Sequence, residues 1–285
     1  MIILSFLINF QKQAYFERDA LMKYTYEDLA CMNDHSLLHP TMTDAELEDG
    51  CRVANEYAVA SVCIKPYAVK DAVKWLAGSS VIVGCVIGFP HGNSTTESKR
   101  AETRAACLDG AKEIDMVINI GKALGGDWAF VEADIRAVCE EAHAHGAKVK
   151  VILETDYLHG GGAGLSGDDL KKKLCQICET AGADWVKTSS GYGFVKQKDG
   201  AYNYQGATEH DLALMRAAVS PKVQVKAAGG VRDLDGLIRV RDLGASRCGA
   251  SATKAMLDEY KKREAAEREG KVTVASAPQI GKGGY

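Results

Sequence analysis

From about residue 30 onward, short runs of apolar, β-branched residues alternate with longer stretches whose apolar positions recur every three or four residues. The apolar runs predict strands over 29–37, 59–65, 81–89, 113–120, 148–155, 184–189, 223–230 and 246–251. Between them, segments such as TDAELEDGCRVANEYA, ESKRAETRAACLDGA and DWAFVEADIRAVCEEAHAHGA combine helical spacing with helix-forming residues. Repeated strand–helix alternation predicts parallel strands joined by right-handed crossovers. Eight such units without a second compositional regime predict an α/β fold, a single (β/α)8 TIM barrel over residues 23–268. An open doubly wound sheet competes, but no G-x-G-x-x-G opens the first helix, where a dinucleotide fold needs it. Gly-Ala pairs at 110–111, 146–147, 182–183 and 244–245 precede strands and predict helix C-caps. Residues 1–22 form a short N-terminal extension. Its apolar start, MIILSFLINF, is too short to span a bilayer and lacks the features of a signal peptide. Residues 269–285 predict a mobile, glycine-bearing tail.

The alternation inside the strands carries more than the fold. Strands of an all-parallel sheet are usually apolar on both faces, and several here are not. With period two, Ile114, Met116 and Ile118 share one face while Asp115 lies on the other. By the same count Lys150, Lys187 and Lys226 lie opposite the apolar residues of their strands. If the apolar faces meet the helices, one carboxylate and three lysines converge inside the barrel, near the strand ends where barrel active sites form. A buried unpaired charge is costly, so such a set is hard to explain as packing.

Composition narrows the classes. Lys plus Arg number 35 against 38 Asp plus Glu, a net charge of -3 that gives no electrostatic case for nucleic acid or an anionic membrane. Hydrophobic residues make up 46% of the chain, as in a compact soluble protein. Nine cysteines in irregular positions predict a reducing, cytoplasmic location. The Cys175–Cys178 pair falls within a helical pattern and reads as core rather than as a redox or zinc site. The seven histidines form no ligand constellation, so no metal is expected.

A lysine is a nucleophile only when neutral, and with an ordinary pKa of roughly 10.4 only about one in a few thousand is neutral at pH 7. A second ammonium ~6 Å away, at an effective dielectric of about 20, repels by roughly 3 kcal/mol, and burial acts in the same direction. Two inward lysines on adjacent strands are therefore a means of making a neutral amine, which condenses with a carbonyl to an imine. The proton traffic that follows needs an acid–base group, and Asp115 is placed for it. Alternation alone does not choose between Lys187 and Lys226 as the nucleophile. Gly229-Gly230 and Gly249-Ala250-Ser251, after the last two strands, predict a backbone cradle for a phosphate.

The segments DHSLLHP, GFPHGN, EIDMVIN, KVKVILET, VKTSSGYG and VKAAGGVR, in that order, resemble the deoxyribose-phosphate aldolase family of the DeoC type from about Asp34 to Ser251. The resemblance implies a class I (Schiff-base) aldolase, without metal or other cofactor, that reversibly cleaves 2-deoxy-D-ribose 5-phosphate to acetaldehyde and D-glyceraldehyde 3-phosphate. It implies Lys187 as the imine-forming lysine, Lys226 as the lysine that perturbs it, Asp115 as proton relay and Lys150 in its support. Gly191, Gly229, Gly230, Gly249 and Ser251 fall where the family binds phosphate, and Asp34 where a first-strand acid faces the site. Tyr285 matches a terminal tyrosine that in some members assists proton transfer. Partners are then a phosphosugar and an aldehyde, with a homodimer compatible with the same resemblance. The chain departs from some members at Tyr192 and Ala252, which bear on phosphate binding, and in a longer 194–206 loop, which bears on acceptor preference. The rivals are an imine-forming aldolase or transaldolase-like enzyme on another phosphosugar, and a non-catalytic phosphate-ligand barrel.

Overall fold

Eight parallel strands close into a barrel in the computed structural model, which describes residues 24–196, 199–269, 271 and 277–281. The strands are β1 (Asn33–Leu37), β2 (Ser61–Ile64), β3 (Ile82–Ile87), β4 (Glu113–Val117), β5 (Lys148–Ile152), β6 (Trp185–Lys187), β9 (Gln224–Ala228) and β10 (Ala245–Ala250). Between β6 and β9, the long loop carries a small antiparallel hairpin, β7 (Val195–Lys196) and β8 (Tyr202–Asn203). Every predicted strand is present; seven are shorter than their apolar runs, and the last keeps its length but starts one residue earlier, at Ala245. The first begins only at Asn33, because residues 26–30 form a helix, α1 (Tyr26–Ala30), with a Thr25–Asp28 capping box.

The outer layer is α2 (Asp44–Glu56), α3 (Val69–Trp75), α4 (Thr96–Leu108), α5 (Ile120–Gly125), α6 (Trp128–Ala144), α7 (Gly167–Ala181), α8 (Glu209–Ala218), α9 (Leu234–Asp242) and α10 (Thr253–Arg268). Local chemistry sets their starts: the Thr43, Thr95, Ser166, Thr208 and Asp233 side chains each accept an N–H from the first turn. At the other end, Gly182 caps α7 in the left-handed region, and Gly110, Gly146 and Gly244 take the same sign of φ before their strands.

The main apolar core lies between the barrel wall and the helices. Ile114, Met116, Val149, Val151, Val186, Val225 and Ala227 all point into it, as the alternation requires. Cys175 and Cys178 are buried, free thiols of α7. Among the described residues no helix is long and apolar enough to cross a membrane. The 1–22 extension and Tyr285 lie outside the described residues. Part of the tail lies against the barrel: the Gln279 N–H donates to Asp233, and Ile280 packs on the core.

Candidate active site

The faces that turn away from the helices meet inside the barrel as a layer of charge. Strand register sets Asp115 beside Lys150, and Lys187 beside Lys226, which in turn neighbours Arg247. One oxygen of Asp115 accepts from Lys187 at 2.6 Å and from Lys226 at 2.7 Å, and the other faces Lys150 at 3.2 Å. Asp34 pairs with Lys226 at 2.5 Å, Lys150 at 3.1 Å and Arg247 at 2.5 Å. Glu113 pairs with Lys150 and with Arg247, the latter at 2.7 Å. Trp185 adds a ring beneath this layer, with Arg247 and Lys150 each within about 5.6 Å of its centre.

Three of these groups, Glu113, Trp185 and Arg247, escaped the sequence reading. Each stands two residues before a position that was singled out (Asp115, Lys187 and Gly249), so the same period-two count reaches them. Asp34, expected to face substrate, is fully buried and does not line the cavity described below; its place is that of a counter-ion under the lysines.

The layer holds four cations (Lys150, Lys187, Lys226, Arg247) and three carboxylates (Asp34, Glu113, Asp115). One positive charge is in excess, so loss of a proton from one lysine brings the interior to neutrality. Burial disfavours every ammonium here, and the carboxylates decide which one gives way. Lys226 faces both Asp115 and Asp34 and is held well above the ordinary lysine range. Lys150, with Asp115, Asp34 and Glu113, is also pushed up. Among the described residues Lys187 forms an ion pair with Asp115 alone; burial, aided by the Lys226 charge, pushes its amine below the ordinary range. Desolvation is thus the larger cause, with the second lysine assisting. Burial opposes the Asp115 charge too, yet Lys150, Lys187 and Lys226 hold it well below the usual carboxylate range.

Above this layer lies a cavity of about 860 Å³. Of the three lysines Lys187 alone lines it, and so do Gly191, Gly229, Gly230, Gly249 and Ser251. Those glycines are a structural necessity at two points. Gly229 sits at φ +83, with the backbone of Gly206 packed against it. A Cβ on Gly249 would lie 3.3 Å from Lys226 Cε, so the bare backbone leaves room for the lysine stem. The N-terminus of α9 follows this loop, and the exposed Arg232 stands at the cavity mouth. Small backbones, a helix N-terminus and a cation suit an anion at one end, with a buried amine at the other. Tyr192, one of the departures noted above, packs edge-to-face on Phe89 at 5.4 Å beside a small apolar cluster of Leu38, Cys63 and Val86. Among the described residues no group of three or more His, Cys, Asp or Glu is arranged to hold a metal ion.

The sequence matches the DeoC/LacD family of aldolases over residues 29–257. A deoxyribose-phosphate aldolase of Rhodopirellula baltica is 49% identical over 240 residues, covering 84% of this chain and 92% of the relative. One from Aciduliprofundum boonei is 42% identical over 231 residues, 81% of this chain and 96% of that one. A solved tetrameric deoxyribose phosphate aldolase from Aeropyrum pernix superposes with a TM-score of 0.72 at 28% identity, over 86% of this chain and 97% of that one.

Proposed function

We propose that this chain, which belongs to the DeoC/LacD family of aldolases, is a class I aldolase cleaving 2-deoxy-D-ribose 5-phosphate reversibly to acetaldehyde and D-glyceraldehyde 3-phosphate. The observation that carries the role of Lys187 is its amine: buried, facing the cavity and pushed below the ordinary lysine range. The neutral amine adds to the C1 carbonyl of the open-chain sugar, and loss of water gives a protonated imine. A base takes the proton of the C3 hydroxyl, the C2–C3 bond breaks, and its electron pair passes into the imine to leave an enamine. D-Glyceraldehyde 3-phosphate departs; protonation of the enamine carbon and hydrolysis then release acetaldehyde and restore the amine.

Asp115, directly or through water, carries these protons, and Lys150 supports it. Each ammonium near Asp115 makes it a weaker base, so loss of the Lys187 proton strengthens it while the imine forms, and the protonated imine then restores that charge. Lys226 remains charged and holds the carboxylate in place. Gly191, Gly229, Gly230, Gly249 and Ser251 bind the phosphate end, while Asp34 sets the charge of the lysines from below.

Tyr285 assists proton transfer. In support, Gly281 lies against Ala207, whose N–H donates to Gly229. Four residues of extended chain reach at most about 14 Å from there. No metal or cofactor takes part, which chelator-insensitive cleavage checks. The nine free cysteines favour a cytoplasmic location, and the enzyme works as a homodimer; cell fractionation and light scattering test these two points.

Borohydride reduction in the presence of 2-deoxyribose 5-phosphate or acetaldehyde, followed by peptide mapping, tests the chemistry. The expected adduct is on Lys187. Modification of Lys226 or Lys150 overturns the assignment of roles, and no adduct at all overturns the imine mechanism.

A further inference from the structure

The turn that follows β5 carries a carboxylate that the mechanism does not use. Glu154 is 1% exposed and does not line the cavity. Its backbone sits at φ 58 and ψ 63, a left-handed conformation that a side-chain-bearing residue adopts only where its surroundings enforce it. The enforcing contacts come from the loop after β6. The Glu154 carboxylate accepts the Ser190 N–H at 3.1 and 3.3 Å. Gly193 closes over the same group: a Cβ there would fall 2.6 Å from the carboxylate carbon. Between these two points lies Gly191, which lines the cavity.

The rest of the turn holds the far end of the same loop. Asp156 accepts the Gln205 N–H at 2.6 Å and the Gly206 N–H at 2.9 Å. The Tyr157 hydroxyl donates to the Phe194 carbonyl at 3.2 Å. Gly206 is packed so closely on Gly229 that a Cβ would meet its carbonyl at 2.6 Å, and the Ala207 N–H donates to that carbonyl at 3.0 Å. One short turn therefore fixes two stretches of backbone, around Gly191 and around Gly229, on the same side of the cavity.

We propose that Glu154, with Asp156 beside it, is a positioning residue for the phosphate end of the substrate, shaping the cradle through the loop after β6 without touching the imine chemistry. The inference rests on the aldolase reading above. Burial of an acceptor-only carboxylate is tolerated here because charged hydrogen bonds to backbone N–H groups are the strong kind. That burial also pushes the Glu154 carboxyl up to about 7 and raises Asp156. Such a penalty is what a residue retained only for packing would avoid.

The experiment compares wild type, Glu154→Gln and Asp156→Asn on 2-deoxyribose 5-phosphate and on unphosphorylated 2-deoxyribose, with borohydride trapping of acetaldehyde as a measure of the lysine. Assayed at about pH 8.5, above the Glu154 pKa so that the carboxylate is charged, Glu154→Gln is expected to raise KM for the phosphorylated sugar about tenfold, the loss expected when a charged hydrogen bond becomes a neutral one. Its kcat, its kcat/KM for unphosphorylated sugar and its trapping rate should stay within about twofold of wild type. Asp156→Asn should act in the same direction, and carries the test if Glu154→Gln does not fold. An equal loss on both sugars, or an unchanged KM for the phosphorylated one in a folded variant, overturns the proposal. Failure of the wild-type protein to cleave either sugar or to trap acetaldehyde instead overturns the aldolase reading.

Discussion

Replacing Lys226 by methionine keeps the unbranched shape of a fully buried side chain, one atom shorter, and removes its charge. In the native site the Lys187 and Lys226 nitrogens lie 2.6 and 2.7 Å from the same Asp115 oxygen, which puts them within about 5.3 Å of each other. Two like charges at that separation, at an effective dielectric of about 20, repel by roughly 3 kcal/mol. At about 1.4 kcal/mol per pKa unit, losing that repulsion raises the Lys187 pKa by about two units. Asp115 would then have one fewer ammonium to serve, which acts in the same direction. The neutral fraction of Lys187 near neutral pH falls about a hundredfold. The assay is the initial rate of borohydride trapping of acetaldehyde between about pH 6 and 10, in wild type, Lys226→Met and the charge-preserving Lys226→Arg. The Lys226→Met profile should move about two units to higher pH, while Lys226→Arg stays near wild type. A folded Lys226→Met protein whose profile superposes on wild type, or moves to lower pH, refutes the electrostatic reasoning.

Two further predictions concern the rim of the site and the tail. His35 lines the cavity, bonds to the Thr253 hydroxyl at 2.9 Å, and is pushed down to about 4 by burial. A depressed histidine contributes stability that is fully present above its unfolded pKa of roughly 6.5 and is lost as pH falls towards the folded value. Urea unfolding at about pH 7 and 4.5 should therefore show wild type losing roughly 2–3 kcal/mol more than His35→Gln, and parallel losses would contradict the assignment. Removing Tyr285 should slow turnover while leaving the trapping rate on Lys187 largely intact; turnover equal to wild type would exclude a role for it.

The fold was legible because its signals are local. Apolar runs and helical spacing repeat eight times, and a one-residue parity assigns each strand residue to the helix side or the interior. That parity was enough to place Asp115, Lys150, Lys187 and Lys226 together, and applied two residues earlier along the same strands it also reaches Glu113, Trp185 and Arg247. The functional choice among the lysines was not legible, since each stands in the same local pattern. It depends on how many carboxylates form ion pairs with each ammonium across the barrel: among the described residues two for Lys226, three for Lys150 and one for Lys187. Coulomb interactions between residues as far apart in sequence as Asp34 and Lys226 carry no signature in either segment. The same holds for Asp34, whose place beneath the lysines follows from barrel closure between β1 and β10, and for Glu154, whose partner, the Ser190 N–H, comes from a loop 36 residues further on. Sequence by itself determined which groups enter the interior, because side-chain direction is set by backbone period. Only the closed tertiary structure decided their charges and partners, because those follow from distances across the barrel.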